Sequence, residues 1–203
     1  MKIKLHKNDL PNNINFGKSV AIDTEAMGLN HTRDRLCLVQ LSSGNGVCHL
    51  VQILNNEIKP KNLIKLLKNK KILKIFHFAR FDVGILKHTF NINIENIYCT
   101  KIASKLTRTF TDKHGYKDLC KDLLNEDISK SQQTSDWGSN KLTLAQQKYA
   151  SIDVLYLHQI KDKLDKMLIR ENRVKLANAC FDFIKIRTDL DLSGWSEQDI
   201  FKH

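Results

Sequence analysis

Proline and glycine are scarce in this chain, which has 2 prolines and 8 glycines among 203 residues. Pro11 and Pro60 stand alone, so no proline-rich linker marks a boundary between domains. No stretch approaches about 18 consecutive apolar residues, the length that a membrane-spanning helix requires. The first residues, MKIKLHKNDLPNN, lack the apolar core of a secretion signal. We therefore expect a cytoplasmic protein with no membrane partner.

Cysteine occurs five times, an odd number, and no Cys-x-x-Cys pair is present. This pattern argues against a disulfide framework and against a structural zinc site. Cys37 and Cys48 lie inside apolar runs, so we expect them to be buried thiols that act as small hydrophobic side chains.

Acidic residues are outnumbered, since 22 Asp and Glu face 33 Lys and Arg, giving a formal net charge of +11. Such an excess favours a polyanionic partner such as nucleic acid, although a solvated lysine-rich surface is the alternative. Between Lys59 and Lys74 there are seven lysines, which suit either a phosphate-binding face or a solvated helix face. Their helical spacing opposite leucines favours the solvated face.

Short apolar runs in the first part of the chain predict three strands, SVAIDTEA, DRLCLVQLSSG and GVCHLVQI. A helix over KPKNLIKLLKN, a buried strand over KILKIFHF and a helix over FDVGILKHTF are predicted next. From TKIASKLT onward the pattern is mostly helical, including YKDLCKDLLN and a long periodic stretch over residues 144–186. This order indicates one α/β domain over residues 1–203, a mixed sheet flanked by helices, with a helical C-terminal tail.

Acidic side chains lie at the ends of apolar elements, where an ionised carboxylate is costly unless it is compensated. Asp23 and Glu25 follow an apolar strand two residues apart, so both point to one face. Asp82 follows the next buried strand, and Asp153 lies on a periodic helix one turn after Tyr149. Each acid alone is compatible with a helix cap or a turn, whereas the four together require a shared counter-charge.

A pair of divalent cations is the simplest counter-charge for these acids. Mg²⁺ and Mn²⁺ prefer hard oxygen ligands, and two such ions stabilise the attacking and leaving oxygens of a phosphoryl displacement. No convincing set of His and Cys ligands favours zinc. The sequence therefore predicts two Mg²⁺ or Mn²⁺ ions.

The combined pattern Asp23-x-Glu25, Asp82 and Tyr149-x-x-x-Asp153 resembles the DEDDy branch of the DnaQ-like 3′-to-5′ exonucleases. Neighbouring segments resemble the catalytic domain of ribonuclease D, namely DRLCLVQLSSG, IFHFARFD, TKIASKLT, ISKSQQTSDW and YASIDVLYL. The resemblance runs from about residue 20 to residue 157 and implies a ribonuclease H-like fold.

The short stretch after Asp153 narrows the resemblance, because we expect no counterpart of the helical C-terminal nucleic-acid-binding domains of long ribonuclease D proteins. With the segments CTKIASKLTRTFTDKHG and DLDLSGWSEQDIFKH, the chain resembles the nano-RNase C group of short exonucleases, which degrade diribonucleotides in particular. The resemblance implies hydrolysis of short RNA to 5′-mononucleotides by a homo-oligomer, an octameric ring. Ala26 and Met27 depart from the family, in which Thr or a larger residue is common after Glu25, beside the expected base pocket.

The resemblance also implies a role for each residue of the motif. Asp23 is expected to touch both metals, Glu25 and Asp153 to hold the ion that activates water, and Asp82 to support the second ion. Tyr149 is expected to hydrogen-bond the attacking water, and its ordinary pKa of about 10 suits orientation better than general-base catalysis.

Four more residues are candidates for contact with the substrate: Thr24, Leu29, His77 and Arg80. Leu29 is expected to wedge against a base, or else to be a buried loop leucine. His77 and Arg80 are candidates for phosphate contacts. The alternatives are a core histidine for His77 and an ion pair between Arg80 and the acids.

Two rival functions remain at this stage. A ribonuclease D-like enzyme that trims longer RNA 3′ ends, or an exonuclease acting on single-stranded DNA ends, would use the same metals. A noncatalytic nucleic-acid-binding module is a different class, and the complete acid set with Tyr149 argues against it. The final segment SGWSEQDIFKH contains three large apolar residues, so we expect it to pack on its own subunit or a neighbour and to wall the pocket.

Overall fold

A mixed six-stranded sheet forms the centre of this computed structural model, which describes residues 1–55, 57–128 and 134–202. The order across the sheet is β1-β4-β3-β2-β5-β6. Strand β2 pairs antiparallel with β3 and parallel with β5. The strands are β1 Lys2–Lys7, β2 Ser19–Ala26, β3 Leu36–Ser42, β4 Val47–Gln52, β5 Leu73–Phe76 and β6 Ile97–Cys99.

Helices flank this sheet, which confirms the α/β class predicted from the sequence. They are α1 Lys61–Lys68, α2 Ala79–Phe90, α3 Thr100–Thr107, α4 Tyr116–Leu124, α5 Leu144–Leu155, α6 Leu157–Arg170 and α7 Val174–Leu190. A single π-helical turn, Asp191–Trp195, follows α7. Across the described ranges 1–55, 57–128 and 134–202, no helix has both the length and the apolar character needed to cross a membrane.

The long periodic stretch at residues 144–186 is divided among three helices rather than forming one. Between α5 and α6, the backbone N–H of Tyr156 donates to the hydroxyl of Tyr116 at 3.2 Å, and this contact marks the break. After α6, Asn172 adopts a left-handed backbone with φ of 52°, which a continuous helix does not allow. The periodicity therefore identified the helices but not the points at which they end.

The lysine-dense segment divides between surface and core. On α1, Lys61, Lys65 and Lys68 are exposed opposite buried leucines, which confirms the solvated face. Lys74 lies in β5 with no exposed surface, and its ammonium group donates to the backbone carbonyl of Asn69. The thiols of Cys37 and Cys48 are buried, as predicted.

Helix α5 is fixed at its start by a reciprocal pair of hydrogen bonds. The hydroxyl of Thr143 accepts from the backbone N–H of Gln146 at 3.2 Å, and the Gln146 side chain accepts from the backbone N–H of Thr143 at 2.9 Å. The Gln146 amide also donates to the carbonyl of Asp136 at 2.9 Å. Because α5 packs against β2 and β3, this cap fixes its first turn beside the centre of the sheet.

We predict that Thr143→Ala lowers the free energy of unfolding by about 1 kcal/mol, because the helix loses its side-chain cap. Thr143→Ser retains the hydroxyl and serves as the matched control. Urea denaturation followed by circular dichroism measures both. Equal stability of the Ala and Ser variants would contradict a capping role.

Candidate active site

Three of the predicted acids meet where the end of β2 faces α5. Asp23 and Glu25 project from β2, and Asp153 projects from α5. One carboxylate oxygen from each lies within 4.8 Å of the other two. The two-residue spacing on the strand and the packing of α5 on β2 account for this convergence.

Asp82 lies in the first turn of α2 and lines the same cavity as the other three acids. Its side chain is almost fully buried, with 3% of the residue exposed. The hydroxyl of Thr24 donates to Asp82 at 2.7 Å. Asp82 stands outside the tight group of three, and the cavity that all four acids line has a volume of about 540 Å³.

Tyr149 precedes Asp153 by one turn of α5 and lines the same cavity. The Trp137 ring lies 6.1 Å from the Tyr149 ring, centroid to centroid. Burial raises the pKa of the Tyr149 phenol, and the negative charges of Asp153, Glu25 and Asp23 raise it further. The phenol is therefore neutral at physiological pH and able to donate a hydrogen bond.

Negative charge is crowded in this cavity. Burial raises the pKa of Asp23 to about 7. Burial, followed by the charges of Asp23, Asp153 and Asp82, raises the pKa of Glu25 to about 10. Burial and the charge of Asp23 also raise the pKa of Asp82. No ion pair between residues of the described ranges involves Asp23, Glu25 or Asp82.

The chemistry of the donors fits a divalent cation. Asp23, Glu25 and Asp153 together offer carboxylate oxygens, which Mg²⁺ and Mn²⁺ prefer. Burial raises the pKa of Asp23, and burial followed by the neighbouring negative charges raises that of Glu25; a bound cation would offset this cost of ionising them. A zinc-type set of His and Cys is not formed among the residues that the structure describes.

Two of the predicted substrate contacts line the cavity. Leu29 is 85% exposed, so the alternative of a buried loop leucine is wrong. Thr24 also lines the cavity, but its hydroxyl is engaged with Asp82. The contact of each residue with a substrate stays a prediction.

The other two candidates face different partners. The Nδ1 atom of His77 lies 2.9 Å from the Thr100 hydroxyl, and His77 is not among the residues that line the cavity. Arg80 forms a two-pronged ion pair with Asp191, at 2.7 and 2.8 Å. The alternative that Arg80 pairs with the four acids is therefore wrong. On a helix, residues 80 and 82 point about 200° apart, so Arg80 faces away from Asp82.

Gln40 is a site residue that the sequence analysis missed. It lies opposite Asp23 in the antiparallel pairing of β2 and β3, and its amide donates to the Asp23 carboxylate at 3.2 Å. Gln40 is fully buried, and its amide oxygen has no hydrogen-bond partner in the described part of the chain. The sequence feature that could have revealed Gln40 is its position as a polar residue within the apolar run LCLVQLS.

An apolar wall beside the acids was also missed. It consists of Met27, Phe78, Phe81 and Trp137, all of which line the cavity. The aromatic residues lie inside the segments IFHFARF and SDW, so the motifs used to recognise the family already contained the residues of this wall. Residues 129–133 of the motif ISKSQQTSDW lie outside the described residues.

Comparisons with known proteins agree on one family. A family model described as 3′-5′ exonuclease matches residues 6–169. Ribonuclease D of Bartonella henselae is 31% identical over 154 residues, which cover 76% of this chain and 37% of that relative. The chain thus matches little more than a third of the length of this curated relative.

Two solved structures of Brucella melitensis NrnC are similar over the whole chain. The structure with bound Mg²⁺ is 52% identical with a TM-score of 0.95, and the match covers 100% of both chains. The structure bound to pGG is 53% identical with a TM-score of 0.96, covering 100% of this chain and 99% of that one.

The crowding of carboxylates predicts that the free energy of unfolding of the metal-free protein depends on pH. At pH 4, below the ordinary Glu pKa of 4.5, both folded and unfolded Glu25 carry the proton, so Glu25→Gln leaves stability unchanged. Between pH 4.5 and about pH 10, Glu25 has lost its proton in the unfolded chain but keeps it in the folded chain. The stability of the wild-type protein therefore falls as the pH rises. At pH 8 we expect Glu25→Gln to be more stable than wild type by about 1–3 kcal/mol.

Urea denaturation in chelator at pH 4 and pH 8 measures this difference. Glu57→Gln, at an exposed residue outside the cavity, is the matched control. A stability difference between Glu25→Gln and wild type that is the same at both pH values would contradict the assignment.

Proposed function

Because this chain belongs to the 3′-5′ exonuclease family, we propose that it is a metal-dependent exoribonuclease that hydrolyses short oligoribonucleotides, especially diribonucleotides, to 5′-mononucleotides. The main support for this proposal is the group of three acids, Asp23, Glu25 and Asp153, whose carboxylate oxygens lie within 4.8 Å of one another. Asp82 and Tyr149 line the same cavity. The resemblance of the sequence to nano-RNase C is confirmed by the similarity to NrnC over the whole chain.

Four acids would hold the metal ions in this proposal: Asp23, Glu25, Asp82 and Asp153. When bound, two divalent ions, Mg²⁺ or Mn²⁺, supply a water of lowered pKa and neutralise charge on the phosphoryl group. The donor chemistry of the site and the Mg²⁺ bound to B. melitensis NrnC support this choice. The hydrogen bonds from Gln40 to Asp23 and from Thr24 to Asp82 would hold those carboxylates in position.

Tyr149 would make the enzyme a member of the DEDDy branch. Its neutral phenol lines the cavity one turn from Asp153, where it would hydrogen-bond the attacking water and fix its direction. The raised pKa of the phenol disfavours a role as a free base, because the phenolate is not populated at neutral pH.

A short substrate suits the dimensions and walls of the cavity. Its volume of about 540 Å³ falls within the range of small-molecule sites, about 300–1,000 Å³. Leu29 and Phe78 are exposed at its edge, and such side chains bind nucleobases by stacking and apolar contact. The dinucleotide pGG bound to B. melitensis NrnC supports the same length of substrate.

Trimming of longer RNA 3′ ends, or of DNA ends, is the second candidate function. The similarity to ribonuclease D and the net charge of +11 favour it. The same metal site would serve both reactions, so substrate length is what separates the two candidates. The octameric ring and the cytoplasmic location expected from the sequence stay predictions.

We predict that wild-type protein with Mg²⁺ or Mn²⁺ converts a 5′-labelled dinucleotide to mononucleotides faster than it shortens a seven-nucleotide RNA or DNA. Chelation should abolish both reactions. Asp153→Asn should lower kcat by more than about 10³-fold because the metal site loses a ligand. Tyr149→Phe should lower kcat by about 10²-fold, since the water loses only its orientation.

Single-turnover and steady-state assays of the full chain measure these rates, with the exposed Asp162→Asn as the matched control. Hydrolysis in metal-free buffer would contradict the metal-dependent mechanism. A preference for the seven-nucleotide RNA would favour the ribonuclease D-like function instead.

A further inference from the structure

Helices α5 and α6 are separated by a break at Tyr156, which follows soon after Asp153. Tyr156 has a φ of −102° and a ψ of −2°, whereas an α-helix keeps these angles near about −63° and −42°. The surrounding sequence, ASIDVLYLHQI, contains neither proline nor glycine, so the common causes of a helix break are missing. A side chain inserted between the hydrogen-bonding groups of the backbone is another cause of such breaks.

The inserted group is the hydroxyl of Tyr116, the first residue of α4. It accepts a hydrogen bond from the backbone N–H of Tyr156 at 3.2 Å and donates to the backbone carbonyl of Ile152 at 2.7 Å. Residues 152 and 156 are four apart, so these two backbone groups would bond each other directly in a continuous α-helix. No direct bond between them is formed in the described part of the chain. The hydroxyl therefore replaces one backbone hydrogen bond of the helix.

The side chain of Tyr116 is supported by the end of strand β5. Its ring lies 5.7 Å from the ring of His77, centroid to centroid. The Nδ1 atom of His77 lies 2.9 Å from the hydroxyl of Thr100, which donates to the carbonyl of Phe76 at 3.1 Å. Burial raises the pKa of the Tyr116 phenol well above its ordinary value. The hydroxyl thus keeps its proton at physiological pH and is able to donate and accept at the same time.

Asp153 lies between the two backbone groups that the hydroxyl bridges, directly after Ile152 in the chain. The direction of its side chain therefore depends on the conformation of this last turn of α5. One oxygen of its carboxylate lies within 4.8 Å of an oxygen from each of Asp23 and Glu25. The ligands of a metal site must be held within about 0.5 Å of the productive geometry, so a small change in this turn is sufficient to disturb the group.

We propose that Tyr116 is a positioning residue for the metal site, whose inserted hydroxyl sets the direction of the Asp153 carboxylate; its effect on turnover rests on the proposed exonuclease function. Tyr116 is not among the residues that line the active-site cavity, so it acts through the backbone of α5. Without the hydroxyl, the N–H of Tyr156 bonds directly to the carbonyl of Ile152, as in a continuous helix. The turn that contains Asp153 then changes, and its carboxylate leaves the position that it shares with the two acids of β2.

The test is the affinity of the full chain for Mn²⁺ at pH 8, measured by titration calorimetry. Tyr116→Phe removes the hydroxyl and keeps the ring beside His77. We expect this variant to raise the Kd for Mn²⁺ about tenfold or more, because contacts that orient a metal ligand contribute about 10–100-fold to affinity.

Dinucleotide hydrolysis provides a second readout of the same effect. The Mn²⁺ concentration that gives half the maximal rate should rise by the same factor in Tyr116→Phe. A variant that had only lost part of its folded population would instead be slower at every Mn²⁺ concentration, with an unchanged half-maximal concentration. That result would overturn the proposal.

Tyr156→Phe is the matched control. It removes a hydroxyl at the same break, one that donates to Glu126 at 3.3 Å, and it leaves the backbone N–H of residue 156 in place. We expect it to bind Mn²⁺ as the wild type does. If Tyr116→Phe does not fold, Tyr116→Leu, which also lacks the hydroxyl, takes its place. An unchanged Kd in the folded variant without the Tyr116 hydroxyl, or an equal loss of affinity in Tyr156→Phe, overturns the proposal.

The wild-type protein tests the proposed function separately. If it binds Mn²⁺ but hydrolyses neither a dinucleotide nor a longer RNA, the exonuclease function is wrong. The comparison of Mn²⁺ affinities still decides the role of Tyr116, because calorimetry requires no turnover.

Discussion

The burial of four acids in one cavity constrains the rest of this structure. Strand β2 and helices α2 and α5 bring four acids to one cavity, and three of them place oxygens within 4.8 Å of one another. Burial and mutual charge raise the pKa of Glu25 to about 10, so the folded chain bears an electrostatic cost that the unfolded chain escapes. Divalent cations offset that cost when they bind, because hard cations prefer a dense set of carboxylate oxygens.

The surrounding structure keeps the acids in place despite their repulsion. Gln40 and Thr24 each donate to one carboxylate, and the capped start of α5 fixes the helix that carries Tyr149 and Asp153. Such supporting hydrogen bonds orient ligands before a metal arrives. The folded sheet and its helices therefore hold the carboxylates in an arrangement that is electrostatically unfavourable until cations bind.

Much of this site was predictable because its spacing is local. Residues two apart on a strand share one face, and so do residues four apart on a helix. These spacings placed Asp23 beside Glu25 and Tyr149 beside Asp153. The central strands and most helices followed from apolar runs, and the predicted ribonuclease H-like fold is confirmed by the match to NrnC structures. The edge strands β1 and β6 were missed, because one alternates lysines with apolar residues and the other has three residues.

Contacts between distant parts of the chain were not predictable in the same way. The pair of Arg80 with Asp191 joins residues 111 positions apart, and no local pattern announces it. The bond between Gln40 and Asp23 depends on the register of β2 against β3, which the sequence leaves open. Short-range periodicity therefore identified the four acids that line the cavity, whereas their supporting contacts required the three-dimensional structure.

Calorimetric titration of the metal-free full chain with Mn²⁺ at pH 8 tests the central claim most directly. Repeating it in buffers of different ionisation enthalpy counts the protons that binding releases. The account predicts two Mn²⁺ ions per chain and a net release of protons, because Glu25, with its pKa raised to about 10, must ionise to bind the metal. Absence of Mn²⁺ binding, or binding without proton release, would contradict it.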